Sequence, residues 1–398
     1  MKLWKVFVLA LGLVCQSFAF QPPTQPHLPV VVDTTLQPLW SQARDGGSGV
    51  YGWFPQFIFG NNLITYTKKR GVAHIVALNK DTGQEVWAWS DLLIPQEEAK
   101  TDAVHIFDNI CVWKARNRAY AINLLTGETV WKHSIVTNTG FNTDGIAGLG
   151  NRFLIHGWDP VYFSGFTRTG NIVANHILKL PYRTLHAQTV LFLNTPPNFL
   201  TQSNINDTLA VLPYGAPEGE TATLFTIYNL TQNREIYTKT IPGDTSGAFS
   251  YPPLVHNSKI YLPSGAFVLC FDLKTGNELW RRRFGSIFDQ SGLVIYNNKI
   301  YCNNNDGFSY CIDPENGKIL WQTRTRGGCS LPFYLNGVVY FTSIADGHLY
   351  GLDAENGKIL MKIDDPRGGI GFGDMVAGAD GKIYANTYTH LYCFKAAR

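Results

Sequence analysis

Short runs of alternating apolar and polar residues, separated by turn residues, fill most of the chain. One run spans 299–304 and precedes Asp306-Gly307; another spans 339–343 and precedes Asp346-Gly347. Asp-Gly between two alternating runs is a strong signal for a β-hairpin. Frequent glycines and many aromatic residues also favour strands and tight turns over helices. The pattern therefore predicts many short antiparallel strands.

One motif recurs along the chain. It has a small residue, then Asp or Asn two positions later, then Gly, and it ends with Trp or Met. Clear copies span 77–87, 121–131, 270–280, 311–321 and 351–361. Adjacent copies lie about 40–45 residues apart, which is the period of a four-stranded propeller blade. The long gap after the second copy predicts two degenerate copies, at 166–173 and 228–237.

Each motif position has a predicted structural role. Asp or Asn accepts hydrogen bonds from turn amides, and Gly permits a positive φ angle. The aromatic residue begins the outer strand and offers a large apolar surface for packing between neighbouring blades. The predicted structural residues are Gly83, Trp87, Gly127, Trp131, Gly276, Trp280, Gly317, Trp321 and Gly357.

The N-terminal and C-terminal segments are each predicted to supply part of one blade. Residues 391–394 are predicted to form the third strand of a blade that lacks its fourth strand. Pro38-Leu39-Trp40 matches the end of the motif without a blade before it. Pairing these segments would remove exposed sheet edges. The prediction is an all-β, eight-bladed β-propeller of four-stranded antiparallel blades over residues 36–398, closed by the N-terminal strand joining the last blade.

The first residues have the pattern of an export signal. Lys2 and Lys5 precede the apolar stretch 6–14, and Ser17-Phe18-Ala19 places small residues at a cleavage site. Residues 1–19 are therefore predicted to be a signal peptide and 20–35 an extended lead. Val14 stands before Cys15, where lipoprotein signals usually carry a small residue, so no lipid anchor is expected. We expect an exported protein, periplasmic or extracellular, without a transmembrane segment.

Composition excludes several classes of function. There are 33 Lys and Arg against 30 Asp and Glu, a formal net charge of +3, which is too balanced for an electrostatic nucleic-acid binder. The hydrophobic fraction of 45% is too high for a disordered chain. The sequence contains no G-x-S-x-G, H-E-x-x-H or phosphate-loop motif. No catalytic residue is predicted.

The motif A-x-D-x-x-T-G-x-x-x-W resembles the repeat of the pyrroloquinoline-quinone (PQQ)-like propellers. One branch of that family, the quinoprotein dehydrogenases, holds PQQ and calcium on the channel axis. The other branch is non-enzymatic, is similar to the BamB-type subunit of the outer-membrane β-barrel assembly machine, and works through protein contacts. The chain has no adjacent Cys-Cys pair and no C-x-x-C-H haem site, so the resemblance favours the second branch.

Loops entering the first strand of each blade would converge at the mouth of the channel. These loops carry carboxylates that could bind a cation or a polar ligand, and the same residues could simply cap turns. No metal-ligand spacing is present and no cofactor is expected, with PQQ and calcium as the alternative. The cofactor-binding candidates are Trp53, Asp102, Asp144, His186, Asp289 and Asp374.

Two cysteines are candidates for a disulfide. If Asp306-Gly307 forms a two-residue turn, Cys302 and Cys311 lie directly opposite each other on paired strands. An exported protein can form disulfides, although cross-strand geometry is often strained. A bridge between these cysteines and two packed free thiols are both open interpretations.

Residues 195–221 are predicted to form an insertion longer than the other blade loops. Long loops on rigid scaffolds often carry recognition, so this segment is the first candidate for a protein contact. The leading hypothesis is a monomeric, non-enzymatic, exported propeller that serves as a protein–protein interaction scaffold at the bacterial envelope. The alternative is a small PQQ- and calcium-dependent quinoprotein oxidoreductase.

Overall fold

The computed structural model describes residues 36–44, 56–94, 104–115, 118–134, 143–149, 152–158, 161–167, 172–178, 191–195, 207–215, 223–241, 253–288, 292–326, 330–343, 345–369 and 371–398. Every regular element within these residues is a β-strand. The predicted signal peptide 1–19 and the predicted lead 20–35 lie outside the described ranges.

The described strands form eight four-stranded sheets, numbered 1–8 along the chain. Sheet 1 comprises β2 (Phe57–Phe59), β3 (Asn62–Lys69), β4 (Val72–Asn79) and β5 (Glu85–Trp89). Sheet 2 comprises β6 (His105–Phe107), β7 (Ile110–Ala115), β8 (Arg118–Asn123) and β9 (Thr129–Ser134). Sheet 3 comprises β10 (Thr143–Leu149), β11 (Arg152–Trp158), β12 (Val161–Thr167) and β13 (Ile172–Leu178). Sheet 4 comprises β14 (Leu191–Thr195), β15 (Asp207–Gly215), β16 (Thr223–Asn229) and β17 (Arg234–Ile241).

The second half of the chain repeats this arrangement. Sheet 5 comprises β18 (Leu254–His256), β19 (Lys259–Ser264), β20 (Phe267–Asp272) and β21 (Glu278–Arg283). Sheet 6 comprises β22 (Leu293–Tyr296), β23 (Lys299–Asn304), β24 (Phe308–Ile312) and β25 (Ile319–Arg324). Sheet 7 comprises β26 (Phe333–Leu335), β27 (Val338–Thr342), β28 (Leu349–Asp353) and β29 (Ile359–Ile363). Sheet 8 comprises β30 (Phe372–Ala379), β31 (Lys382–Thr387), β32 (His390–Lys395) and β1 (Trp40–Ala43).

Consecutive strands pair antiparallel in sheets 1–7, so the all-β, four-stranded antiparallel prediction is confirmed. Sheet 8 has the order β1-β32-β31-β30, in which the N-terminal strand is outermost. Trp40 lies opposite Cys393 in this sheet. The same register places Trp87 opposite Ala77 in sheet 1 and Trp321 opposite Cys311 in sheet 6. Strand β1 therefore stands where a motif-bearing fourth strand stands in the other sheets.

The motif residues form the turn that connects the third strand of a sheet to its fourth strand. In sheet 5, the Asp272 carboxylate accepts hydrogen bonds from the N–H groups of Lys274 and Thr275, at 3.0 and 2.8 Å. The Gly276 N–H donates to the Asp272 carbonyl at 2.8 Å, and Gly276 has φ +67°. This turn needs a positive φ angle at its fifth residue, which glycine adopts without steric cost. The turn explains the spacing of Asp and Gly in the motif.

The hydrophobic core lies between neighbouring sheets. Side chains of sheets 1 and 2 form one cluster, which includes Ile64, Trp89 and Trp113. Sheets 5 and 6 form another cluster, and sheets 6 and 7 a third. Sheets 1 and 8 also share a cluster, in which Leu78 packs with Tyr384. The first and last sheets of the chain are therefore packed against each other as consecutive sheets are.

The prediction of a single long insertion over 195–221 is wrong for residues 207–215. Residues Asp207–Gly215 form strand β15, which pairs with both β14 and β16. Leu209, Val211 and Leu212 in this strand are fully buried. Pro213 made the segment resemble a loop, yet the continuous apolar run 209–212 before it is typical of a fully buried strand. The remaining parts, 196–206 and 216–222, lie outside the described residues.

Candidate functional site

Neighbouring sheets are joined through an aromatic residue of the fourth strand. In sheet 5, Nε1 of Trp280 donates to the carbonyl oxygen of Pro314 in sheet 6, at 3.0 Å. In sheet 6, Trp321 donates in the same way to Ala354 of sheet 7, at 3.0 Å. The equivalent bonds are Trp40 to Lys80 at 3.1 Å, Trp87 to Leu124 at 3.2 Å, and Tyr237 Oη to Leu273 at 2.7 Å.

The motif glycine provides the surface on which the preceding tryptophan packs. A Cβ atom added to Gly317 would lie 2.5 Å from Cε3 of Trp280. Trp321 covers Gly357 as closely, at 2.6 Å. Side-chain carbon atoms cannot approach so closely without displacement. Glycine is therefore needed here for both its φ angle and its lack of a side chain.

A second donor reaches the same carbonyl group. Tyr261 Oη in sheet 5 donates to the Pro314 oxygen at 3.2 Å. Tyr301 does the same with Ala354, at 3.2 Å, and Tyr384 with Lys80, at 3.0 Å. A carbonyl oxygen has two lone pairs, so one tryptophan and one tyrosine satisfy it together. We call these tryptophan and tyrosine junctions between neighbouring sheets the frame.

The cysteines at the small-residue position lie inside this frame. Cys270, Cys311 and Cys393 are fully buried. Burial raises the pKa of each of these thiols to about 12. The thiolate is the nucleophilic form of cysteine. These residues therefore pack between sheets and are chemically inert at neutral pH.

The proposed cross-strand alignment of Cys302 and Cys311 is wrong. Cys302 pairs with Tyr310, and Cys311 pairs with Tyr301. The strands end at the pair Asn304 and Phe308, so three residues instead of two form the connection. The extra residue shifts the register by one position, which sends the two side chains to opposite faces of the sheet. Both cysteines are free and buried.

We expect Cys302 and Cys311 to be thiols in the purified protein. Alkylation in denaturant without a reductant should modify both residues, because no bridge protects them. The native protein should react slowly, since burial raises the pKa of Cys302 well above its usual value. Peptide mass spectrometry checks this. A linked peptide pair containing the two cysteines would contradict it.

The channel-mouth candidates are only partly covered by the structure. Asp144 lies in β10 and Asp374 in β30, each the first strand of its sheet. Each also falls at a register irregularity, between 143 and 145 and between 372 and 376. Trp53, Asp102, His186 and Asp289 lie outside the described residues.

The PQQ alternative requires a set of calcium ligands. Calcium needs several oxygen ligands that converge on one point. No group of three or more His, Cys, Asp or Glu side chains with that arrangement occurs in the described part of the chain. Asp346 and Asp364 do approach one histidine, His348, at 3.0 and 2.5 Å. They contact opposite ring nitrogens, Nδ1 and Nε2, so they do not share a ligand position.

An exposed aliphatic residue precedes the motif tryptophan in several sheets, a feature that the sequence analysis missed. Leu39, Val86 and Val130 are 56, 53 and 42% exposed on sheets 8, 1 and 2, and Leu279 and Leu320 are 48 and 45% exposed on sheets 5 and 6. Leu125, in the turn of sheet 2 beside the Trp87 contact, is 65% exposed. We call Leu39, Val86, Leu125 and Val130, which lie on the three neighbouring sheets 8, 1 and 2, the aliphatic row. The signal in the sequence was the apolar residue before each motif tryptophan.

A family comparison decides the identity of this fold. The family model described as "Outer membrane protein assembly factor BamB" matches residues 30–175 and 264–386. The chain belongs to the PQQ-like repeat β-propeller family. Its four-stranded sheets are the blades of the family, and its tryptophan junctions connect one blade to the next. The resemblance inferred from the repeat is confirmed.

Solved structures show the same propeller fold. BamB from Moraxella catarrhalis is similar, with a TM-score of 0.63 at 13% identity, over 90% of this chain and 99% of that one. The quinohemoprotein alcohol dehydrogenase ADHIIG from Pseudomonas putida HK5 has a TM-score of 0.62 at 12% identity, over 91% of this chain and 76% of that one. The computationally designed Ika8 protein has a TM-score of 0.63 at 14% identity, over 89% of this chain and 98% of that one.

Two further comparisons bear on this propeller. No curated protein matches its sequence. In the described part of the chain, no helix has the length and apolar character required to cross a membrane. Similarity of fold at such low identity does not transfer an activity, so function has to be argued from the residues of this chain.

Proposed function

We propose that this propeller is a non-enzymatic protein that is exported and binds protein partners at the bacterial envelope. The observation that carries the proposal is the aliphatic row on blades 8, 1 and 2. Exposed apolar side chains that recur on neighbouring blades are a candidate protein contact, because exposed apolar patches commonly mark such contacts. The BamB family match and the export pattern of residues 1–19 support the envelope as the location.

The tryptophan junctions next to the aliphatic row hold its backbone in place, which suits the row for binding a protein partner. Leu39 and Val86 each precede a tryptophan that is fixed to the next blade by packing and by a hydrogen bond. Their backbone positions are therefore held in place before a partner arrives. A preorganised surface loses little conformational entropy on binding. This arrangement favours a protein contact on the outer strands over one limited to the 195–221 segment.

We expect a photo-crosslinking amino acid at Val86 to give a discrete adduct with an envelope protein, in the full chain expressed in its native host. The same partner should be captured from Val130. A crosslinker at Thr240, which is exposed on the fourth strand of blade 4 where no exposed aliphatic residue precedes the motif aromatic, is the matched control and should give none. Mass spectrometry identifies the adduct. Equal labelling from all three positions, or from none, would contradict the proposal.

The alternative function is a PQQ- and calcium-dependent oxidoreductase, and the similarity to the Pseudomonas putida dehydrogenase is its support. A dye-linked alcohol dehydrogenase assay after incubation with PQQ and calcium tests it directly. We expect no turnover, because the sequence has no adjacent Cys-Cys pair of the kind that the quinoprotein dehydrogenases carry beside the cofactor. Turnover that needs both additions would establish the alternative.

A further inference from the structure

The junction between blades 8 and 1 uses the same contacts as the junctions between consecutive blades. Trp40 of β1 packs on Gly83, where an added Cβ atom would lie 2.7 Å from the indole ring, and Trp87 covers Gly127 at the same distance. Consecutive blades follow each other along the chain, and this connection selects the partner. Tyr384 of blade 8 and its acceptor Lys80 are 304 residues apart, so chain connection does not select this pair of blades.

One buried residue distinguishes the motif turn of blade 1. The residue after the motif Asp or Asn is Lys80 in this blade, and it is 7% exposed. In the other described motif turns the same position carries a buried apolar residue, which is Leu124, Leu230, Leu273, Pro314 or Ala354. Lysine is almost never fully buried unless it is paired. A specific partner for Lys80 is therefore expected at this junction.

The partner of Lys80 is an aspartate of blade 8. The Nζ atom of Lys80 lies 2.8 Å from Oδ2 of Asp380, in the turn between β30 and β31, and 3.6 Å from Oδ2 of Asp81. Lys382 of blade 8 contacts the other oxygen of Asp81. The hydrogen bond to Asp380 raises the pKa of Lys80, so the ammonium group keeps its charge at neutral pH. We call these four residues the junction network.

Most other blades could not supply the charge that Asp380 gives to Lys80. In the other described turns between the first and second strands, the residue equivalent to Asp380 is Gly60, Asp108, Asn257, Asn297 or Asn336, and one of these five is acidic. Removing one partner of a buried ion pair is strongly destabilising, whereas replacing the whole pair by apolar residues is often neutral. The junction network therefore disfavours wrong pairing of blade 1 more than it stabilises the correct pairing.

We propose that the junction network selects blade 8 as the folding partner of blade 1. Blades with similar contacts can join out of order, within one chain or between chains, and such contacts can continue into open assemblies. A buried charge that one blade satisfies favours a single order. Fixing register is the best-attested role of buried charged groups in proteins. This role in assembly is independent of partner binding by the aliphatic row.

Refolding of the full chain from urea tests the proposal, with light scattering after gel filtration to measure the fraction that returns to the native mass. Lys80→Leu introduces the residue type found at this position in blades 2, 4 and 5. We expect this fraction to fall about threefold, while the urea midpoint of the recovered native species stays unchanged or rises. An unchanged fraction would overturn the proposal. A lower midpoint would also overturn it, because the network would then be an ordinary stabilising contact.

Two further variants connect the effect to this pair of charges. Lys299→Leu is the matched control, because it removes the ion pair with Glu355 between the consecutive blades 6 and 7, and it should leave the refolded fraction unchanged. Asp380→Lys places two ammonium groups together and should lower the fraction further than Lys80→Leu does. Adding Lys80→Glu to Asp380→Lys recreates an opposite pair and should restore the fraction. If Lys80→Leu does not fold, this exchange decides, and absence of rescue in the double variant would refute the proposal.

Discussion

Replacing Gly317 with alanine is expected to lower the free energy of unfolding by about 3 kcal/mol. Part of this loss is backbone strain, since an L-residue costs about 1–2 kcal/mol at positive φ, and Gly317 has φ +70°. The rest is overpacking, which typically costs about 1–3 kcal/mol. The new Cβ would lie 2.5 Å from the Trp280 ring. Urea titration followed by circular dichroism measures the change.

Gly381 provides a matched control for this experiment. It has φ +72°, but no atom lies within 4 Å of the position that its Cβ would occupy. Gly381→Ala should therefore show only the strain of about 1–2 kcal/mol. The difference between the two variants isolates the packing of tryptophan on glycine. If both variants were destabilised equally, the junction between blades 5 and 6 would contribute nothing beyond backbone strain.

Replacing Trp321 with alanine is expected to have the largest effect, about 3–5 kcal/mol. The residue is 9% exposed in the cluster between blades 6 and 7, so its removal leaves a cavity. Leu320→Ala is the control, because Leu320 is 45% exposed, and it should change stability by less than about 0.5 kcal/mol. Similar losses in both variants would contradict the assignment of Trp321 to the frame.

Less drastic variants separate packing from hydrogen bonding. Trp321→Phe keeps most of the ring but removes the donor to Ala354, while Tyr301 still satisfies that oxygen. The expected loss is about 1 kcal/mol. Adding Tyr301→Phe removes both donors and leaves a buried acceptor unpaired. The double variant should therefore lose more than the sum of the single losses, and a double-mutant cycle measures this coupling. Strict additivity would show that the two donors act independently.

Much of this fold was predictable because the repeat encodes local chemistry. The spacing from Asp272 to Gly276 specifies a turn with one positive φ angle. The match between Trp40 and the later motif tryptophans predicted the place of β1, because the same side chain meets the same neighbour in each blade. Repetition makes such a local pattern informative about long-range packing.

Features that depend on register or on a single blade were harder to predict. The alignment of Cys302 and Cys311 failed because the length of one turn, by one residue, decides which side chains share a face. Strand β15 was missed because Pro196-Pro197 before it and Pro213-Tyr214 within it resemble a loop. The hydrogen bond from Arg44 to the Tyr66 carbonyl joins blades 8 and 1, and nothing in the spacing of these two residues indicates this proximity.

The position of β1 has a consequence for folding. The strand is hydrogen-bonded to β32 of blade 8, and its Trp40 is fixed to Lys80 of blade 1. Strand β1 is made early in synthesis, and its contact with blade 1 can form soon afterwards. Its pairing with β32 can form only when the last blade has been made. Contacts so distant along the chain slow folding. A nascent chain that stops before β30 holds an unpaired strand edge and is open to association with other chains.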